Sequence, residues 1–254
     1  MTLRRPFSPT PTGPLVTPWM IYGSNSRIIT LFGRIHSSIN VDIIVADSIP
    51  FLAEEIFASL FYLAGESRDP IKMVINNRGG DIDAGLMIVQ AIEHVQAMGI
   101  DVEILVVGSS MSMASIILAS GTRGKRYALD RSIVHLHAES RVIGGQGEDF
   151  ERAKEYTDRL ARQMYLLLAQ RTKIPEYHLE QEQIAPRDKT MLENDEGRIK
   201  LVKRFLKNET YLSAYEAQAA GIIDAVIPPG DGKIMEIFNA PTEALSEKQE
   251  GGRA

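Results

Sequence analysis

The chain has 254 residues, of which 44% are hydrophobic and 24% are charged, a composition typical of one globular domain. Its 33 acidic residues exceed its 28 basic ones, and no basic block suggests a nucleic-acid partner. The absence of cysteine excludes disulfides, thiol nucleophiles and cysteine-ligated metals. No stretch approaches the roughly 20 apolar residues of a membrane span. Since no apolar run follows Arg4 and Arg5 either, we expect no membrane contact, no secretory signal and a cytoplasmic location.

The first part of the chain predicts a flexible segment, a strand and a helix. Residues 1–20 are rich in Pro, Thr and Ser, and we expect them to be flexible and to lie outside the core. Residues 27–36 are mostly apolar and predict a strand. Residues 49–64 carry apolar side chains at helical spacing and predict a helix, with Pro50 in its first turn.

A strand-to-helix corner follows, at two adjacent glycines. Residues 70–76 predict a strand that runs into Gly79 and Gly80 and then into a helix at about residues 86–98. Adjacent glycines allow backbone geometry that other residues resist, and they present bare N–H groups. A phosphate-binding turn is one use of such a corner, but the Gly-Lys-Ser/Thr of a nucleotide loop is missing.

A second strand-to-helix corner presents a serine. Residues 101–107 predict a strand, and residues 112–120 are small or aliphatic and predict a buried helix that stops at Gly121. The hydroxyl of Ser112 therefore lies at the helix start, where unpaired N–H groups can stabilise an oxyanion. The alternative is that the small residues only let the helix pack closely on a sheet. This segment alone leaves both interpretations open.

The alternation of strands and helices predicts an α/β fold with a mostly parallel sheet flanked by helices. Residues 124–129 and 132–137 predict two further strands. His135 and His137 alternate onto the same side of the second one, so periodicity does not decide which of them is functional. A buried histidine with satisfied hydrogen bonds is the alternative for either.

The later chain predicts one long helix, a charged segment and a tail. A loop at residues 144–147 precedes an amphipathic helix at about 149–171. Residues 178–208 are charged, and residues 193–207 favour a helix. We expect residues 229–254 to form a flexible tail, which leaves residues 21–228 as one domain.

Several segments resemble, in order, the proteolytic subunit of the Clp protease family. Residues 27–33 match its Arg-Ile-Ile-x-Leu-x-Gly strand, and residues 108–121 match its nucleophile segment, in which methionine follows the serine. Residues 124–129 match Gly-Lys-Arg-Phe-Ala-Leu, and residues 211–224 match Phe-x-Ser-Ala-x-Glu-Ala-x-x-x-Gly-Leu-Ile-Asp. The resemblance covers about residues 27–227. It implies a fold of crotonase-like ββα units with a protruding "handle" helix at 149–171.

Through this resemblance, Ser112 is the nucleophile of a serine endopeptidase and His137 is its base. The base is placed by aligning residues 135–139 with the family's Met-Ile-His-Gln-Pro. The position of the family's catalytic aspartate holds Glu209, which is one methylene longer. The alternatives for this position are the amide of Asn208 and the carboxylates of Asp188 and Asp195.

The resemblance also implies an oxyanion hole and a peptide-binding edge. The N–H groups of Gly79 and Met113 are the expected oxyanion donors, each worth roughly 3–4 kcal/mol of barrier. The family has proline before this glycine, where this chain has Arg78. Four residues are expected to flank an extended peptide by strand addition: Gly80, Asp81, Ile82 and Ser140.

The partners implied are unfolded polypeptides as substrates, further copies of the chain in two stacked seven-membered rings, and an AAA+ unfoldase. No cofactor or metal is expected. Because the chain carries no nucleotide-binding loop, the energy for unfolding must come from the partner. Residues 178–208 make a longer connection to the acid than the family has, and we call this segment the insert. Thr210 replaces a family arginine that in relatives can bridge the rings, so we expect a weaker ring contact or one that uses the insert.

Two other functional classes remain open from the sequence. A catalytically weak structural subunit of a mixed ring is suggested by Glu209, Thr210 and the insert. A crotonase-type acyl-CoA enzyme shares the fold and the two-amide oxyanion hole, but it does not require Ser112 beside His137.

Overall fold

The computed structural model describes residues 27–36, 50–138, 147–182 and 186–238. The expected flexible segment at 1–20 lies outside these residues, as do Ser140, residues 144–146 of the predicted loop and residues 239–254 of the predicted tail. The side chain of Asp188 also lies outside the description.

Eight strands form one sheet: β1 Ile28–His36, β2 Pro50–Leu52, β3 Ile71–Gly80, β4 Val102–Met111, β5 Arg126–Leu129, β6 Ile133–Leu136, β7 Thr210–Ser213 and β8 Ala225–Ile227. The order is β2-β1-β3-β4-β5-β8, and each of these neighbours is parallel. Strand β4 is long enough to pair with β5 through its first half and with β6 through its second half. Strand β6 also pairs antiparallel with β7. The prediction of a mostly parallel α/β sheet is confirmed.

The helices are α1 Ala53–Glu66, α2 Ile82–Ala97, α3 Met113–Ser120, α4 Glu148–Arg171, α5 Ile174–Gln181, α6 Asp195–Phe205, α7 Ala214–Ala219 and α8 Lys233–Phe238, with a 3-10 helix at Pro186–Glu193. Alternate residues of β4 lie on opposite faces of the sheet. Ile104 and Val106 belong to the hydrophobic cluster that includes helices α1, α2 and α3, whereas Leu105 belongs to the smaller cluster with α8. Helices therefore cover both faces of the sheet. Within the described ranges, no helix is both long and apolar enough to cross a membrane.

Several segments differ from the sequence predictions at their ends. Strands β3 and β4 continue to Gly80 and Met111, beyond the predicted ends at residues 76 and 107, and helix α2 begins at Ile82 instead of about residue 86. Residues 50–52 form strand β2 instead of the first helical turn, because they pair in parallel with residues 34–36 of β1. Proline is tolerated there since β2 is an edge strand. The predicted tail begins with helix α8, because Ile237 is buried against Leu105, Tyr127 and Ile227.

Helix α4 coincides with the predicted handle and divides into two halves. Its N-terminal half is largely exposed, and Tyr156 keeps 55% of its surface in solvent. Burial begins at Ala161 and continues to Ala169, where the helix packs on α3 and α6. The helix therefore projects from the domain and is anchored by its C-terminal half.

The insert contributes side chains to the hydrophobic core. Helix α6 buries Ile199, Val202 and Leu206 in the main hydrophobic cluster, where it packs on α4 and α5. The side chain of Asn194 caps its first turn by accepting the Gly197 N–H at 2.9 Å.

Candidate active site

Ser112 occupies a strained turn between β4 and α3. Its φ of 52° and ψ of −124° make it the one residue other than glycine with positive φ in the described part of the chain. Such a conformation costs about 1–3 kcal/mol and persists only where the surroundings impose it. Here the Ser112 N–H donates to the His135 carbonyl at 2.8 Å, and the Ser115 hydroxyl donates to the Ser110 carbonyl at 2.7 Å. The turn is therefore tied to β6, the strand that precedes His137.

His137 lies within hydrogen-bond distance of the serine. Its Nε2 is 2.8 Å from the Ser112 hydroxyl oxygen, and its Nδ1 is 2.5 Å from the Ala138 carbonyl. Because a carbonyl only accepts, Nδ1 carries the proton and Nε2 offers its lone pair to the Ser112 hydroxyl. This tautomer is the one that a general base requires.

The insert supports this histidine through the backbone, a role that the sequence did not indicate. The Ala138 N–H donates to the Leu206 carbonyl at 3.0 Å, just after α6 ends. Leu206 is 1% exposed, so the acceptor is anchored in the core. Ala138, whose carbonyl orients His137, is therefore bonded through its N–H to the insert.

Glu209 lies near His137 but does not bond to it in this structure. The antiparallel pairing of β6 and β7 ends at Leu136 and Thr210, and its continuation places Glu209 opposite His137. The Glu209 carboxylate instead accepts from the Tyr211 hydroxyl at 3.3 Å. Its role as the acid stays a prediction.

Of the alternative acids, Asp195 is separated from His137 by the length of α6. Asp195 begins this 11-residue helix and accepts from Gln170 at 2.9 Å, whereas the other end of the helix meets Ala138. A helix of that length spans about 16 Å. Asp195 therefore cannot orient His137 in this structure.

His135 is the buried member of the histidine pair. Its ring is stacked between those of His137 and Tyr211, with centroid distances of 5.3 and 4.2 Å. It is 8% exposed, and its Nε2 has no hydrogen-bond partner within the described ranges. Burial, with a further contribution from His137, lowers the pKa of His135, while Glu209 acts in the opposite direction. His135 is therefore a neutral packing partner of His137.

Gly79 lies directly against the serine turn. A Cβ at Gly79 would come within 2.7 Å of the Met111 carbonyl oxygen and 2.8 Å of the Ser112 Cβ, and its φ of +92° favours glycine. The N–H of Met113 begins α3 and lacks an intrahelical acceptor. In this structure the Gly79 N–H donates to the Asn77 side-chain oxygen at 2.7 Å. The two predicted oxyanion donors are thus close together, and one of them is engaged with Asn77.

The residues predicted to bind peptide have mixed placements. Gly80 is the last residue of β3, and a Cβ added to it would lie 1.9 Å from the Ile35 carbonyl oxygen. The Asp81 N–H donates to the same oxygen at 2.9 Å. Ile82 is the first residue of α2. The Asp81 N–H is thus occupied by β1, and strand addition at this edge stays a prediction.

No cluster of metal-ligating side chains occurs in the parts of the chain that the structure describes.

Comparison with known proteins gives consistent matches along the chain. The model of the Clp protease family matches residues 24–230. The ATP-dependent Clp protease proteolytic subunit of Oltmannsiellopsis viridis is 28% identical over 218 residues, which cover 85% of this chain and 98% of the relative. The ATP-dependent Clp protease proteolytic subunit 2 of Bacillus licheniformis is 29% identical over 177 residues, covering 69% of this chain and 80% of the relative.

Proposed function

Because the chain belongs to the Clp protease family, we propose that it is a serine endopeptidase in which Ser112 is the nucleophile and His137 the base. The observation that carries this proposal is the 2.8 Å contact between the Ser112 hydroxyl and His137 Nε2, in the tautomer that accepts a proton. A serine hydroxyl is a weak nucleophile unless a neighbouring base removes its proton during attack.

The proposed reaction follows from these positions. The Ser112 oxygen attacks the scissile carbonyl carbon while its proton moves to His137 Nε2. The N–H groups of Met113 and Gly79 stabilise the oxyanion, and for this the Gly79 N–H must exchange its acceptor from Asn77 to the oxyanion. His137 then gives its proton to the leaving amine as the C–N bond breaks. Water then attacks the acyl carbon as the same imidazole removes its proton, and His137 returns this proton to the Ser112 oxygen as the ester bond breaks.

Glu209 completes the proposed site by stabilising the imidazolium. The Ala138 carbonyl already fixes the tautomer of His137, but it contributes no negative charge. Glu209 lies opposite His137 on the continued register of β6 and β7. A rotation of its side chain away from Tyr211 is the step that brings the carboxylate to Nδ1.

We further propose that the chain works as the proteolytic subunit of an ATP-dependent protease that degrades unfolded polypeptides inside a double-ring chamber. The exposed N-terminal half of α4, with Phe150 and Tyr156 in solvent, supports a role for this helix in contacts between rings. Sedimentation of the purified chain tests this assembly. We expect a large oligomer, and a fully active monomer would contradict it.

The second candidate is a catalytically weak subunit of a mixed ring. Two observations favour it: Glu209 bonds to Tyr211 instead of His137, and the Gly79 N–H bonds to Asn77. In each arrangement, a group that the proposed reaction needs is hydrogen-bonded to another residue. The acyl-CoA alternative has no comparable support, since the Ser112–His137 contact serves no purpose in thioester chemistry of the crotonase type.

Labelling with a fluorophosphonate separates these candidates. We expect covalent modification at Ser112, located by mass spectrometry of the digested protein, and no modification of a Ser112→Ala variant. Labelling that is absent, or that is unchanged in Ser112→Ala, contradicts the peptidase proposal. Thioester turnover without labelling supports an acyl-CoA enzyme.

A further inference from the structure

A polar cavity of about 460 Å³ lies at the C-terminal end of α4, between α5, α6 and the turn at Gly221. Five cationic side chains line it: Arg123, Arg126, Arg171, Lys173 and Arg198. The cavity lies apart from Ser112 and His137, neither of which lines it. Its size is that of a small-molecule site.

Two of the cations are neutralised within the cavity wall. Arg126 pairs with Asp224 through two hydrogen bonds of 2.9 and 2.7 Å, and Arg198 pairs with Glu176 through bonds of 2.7 and 3.3 Å. Asp224 and Glu176 are the only carboxylates among the described lining residues. Three positive charges are therefore in excess on the cavity wall.

The three remaining cations are Arg123, Arg171 and Lys173. Arg171 bonds to Glu93, outside the lining, at 3.3 Å, which offsets part of its charge. Lys173 is exposed, and its ammonium group has no partner recorded within the described ranges. Its stem lies against Gly221, where a Cβ would meet the lysine Cγ at 2.8 Å. The missing side chain at Gly221 thus leaves room for Lys173 in this position.

The end of α4 holds three of the arginines in fixed orientations. The last carbonyls of a helix lack intrahelical partners. Here Arg198 donates to the Ala169 carbonyl at 2.9 Å, Arg126 donates to the Arg171 carbonyl at 3.0 Å, and Arg123 donates to the Gln170 carbonyl. Because these guanidinium groups are already ordered, an anion that binds them loses little further conformational entropy.

We propose that this cavity binds a phosphate-bearing anion of diphosphate size. Guanidinium forks and an ammonium group are the side chains that bind phosphate oxygens through charge-assisted hydrogen bonds. A single carboxylate supplies one negative charge, whereas the wall keeps the charges of Arg123 and Lys173 and part of that of Arg171, which a diphosphate matches better. No aromatic ring occurs among the described lining residues, so no base-stacking platform is present and inorganic diphosphate is the expected ligand over a nucleotide.

Calorimetric titration of the full-length chain with inorganic diphosphate, at constant ionic strength, tests the proposal. We expect saturable binding, with ADP binding no more tightly than diphosphate and sulfate binding more weakly than either. In Lys173→Gln we expect roughly tenfold weaker diphosphate binding, because one charge-assisted contact is lost. Diphosphate should also raise the unfolding temperature of the wild-type chain more than that of the variant.

The matched control is Lys189→Gln, which removes the same charge from an exposed lysine outside the cavity. Its diphosphate affinity should equal that of the wild type. Absence of binding, or equal weakening in both variants, overturns the proposal, and tighter binding of ADP overturns the preference for the inorganic anion. None of these outcomes bears on peptide hydrolysis at Ser112, so the two proposals fail separately.

Discussion

The serine and the acid of the candidate site are positioned in very different ways. Ser112 lies between a central strand and the fully buried helix α3, and its backbone is bonded to β6. Glu209 is exposed, precedes the short strand β7 and makes its recorded side-chain bond to Tyr211. The orientation of the serine is therefore imposed by the core, whereas that of the acid depends on weak surface contacts. The difference predicts that catalysis is far more sensitive at Ser112 than at Glu209.

The largest effect is expected for Ser112→Ala. Removal of the hydroxyl eliminates the nucleophile but little volume, so peptide hydrolysis should fall by roughly 10⁴-fold or more. The oligomer seen by sedimentation should be unchanged. His137→Ala should be similarly inactive. If the purified Ser112→Ala protein still hydrolyses peptides, another residue is the nucleophile.

A smaller effect is expected for Gly79→Ala. The new Cβ would strike the Met111 carbonyl and Ser112, and its displacement should move the Gly79 N–H away from the oxyanion. Loss of one oxyanion donor lowers turnover roughly 10²–10³-fold. The measurement is kcat on a short peptide.

The matched control for this variant is Gly99→Ala. Gly99 also has positive φ, +80°, but nothing lies within 4 Å of its added Cβ. The Gly99→Ala variant introduces the same kind of backbone strain without a steric clash, so its kcat should remain normal. Equal losses of kcat in the two variants would mean that strain, and not the contact with Ser112, explains the Gly79 result.

For Glu209→Gln we expect a loss of roughly 10–100-fold in turnover, with peptide binding little changed. This is less than the roughly 10⁴-fold known for the amide replacement of a triad aspartate. The reason is that the Ala138 carbonyl already holds the His137 tautomer, so only the charge is lost. Glu209→Asp restores the family's residue with a shorter reach and tests the same contact.

Tyr211→Phe tests whether the bond to Tyr211 keeps the Glu209 carboxylate away from His137. It removes the hydroxyl that holds the carboxylate and keeps the aromatic ring, so turnover should be retained or should rise. Near-normal turnover in Glu209→Gln would exclude Glu209 as the acid. Asp188→Asn is then the next variant to measure, whereas Asp195→Asn should have no effect because of its distance from His137.

The smallest effect concerns the pH dependence of stability at His135. Burial lowers the pKa of His135 below the ordinary histidine value of about 6.5, so the unfolded chain binds the proton more readily. The free energy of unfolding should therefore decrease as the pH falls below about 6.5. Burial also lowers the pKa of His178, which contributes with the same sign.

Urea unfolding of wild type and His135→Met between pH 7.5 and 5.5 measures this contribution. The variant should show a shallower dependence on pH and near-normal hydrolysis at pH 7.5, since it keeps an apolar packing partner for His137. His135→Ala should lose stability more than rate. An unchanged pH dependence in His135→Met would show that His135 does not titrate differently on folding.

Local patterns in the sequence were sufficient for most of the fold. The strands predicted at residues 27–36, 70–76 and 101–107 and the helix predicted at about 149–171 coincide with most of β1, β3, β4 and α4, because apolar periodicity and turn residues act over a few positions. The serine at a strand-to-helix corner was visible for the same reason. The resemblance then supplied the pairing of Ser112 with His137, which periodicity alone left open.

Contacts between distant segments decided the rest. Residues 50–52 became a strand because β1 offers them backbone partners, and helix α6 entered the core and came to support His137 through Leu206 and Ala138. The bonds of Glu209 to Tyr211 and of Gly79 to Asn77 join residues only two positions apart, and they depend on side-chain rotations that the sequence pattern does not specify. The sequence determined which residues stand at the two corners and strand ends. Only the tertiary structure decided which of their groups meet, since the 2.8 Å contact of Ser112 with His137 and the 3.0 Å bond of Ala138 to Leu206 depend on the packing of segments far apart in the chain.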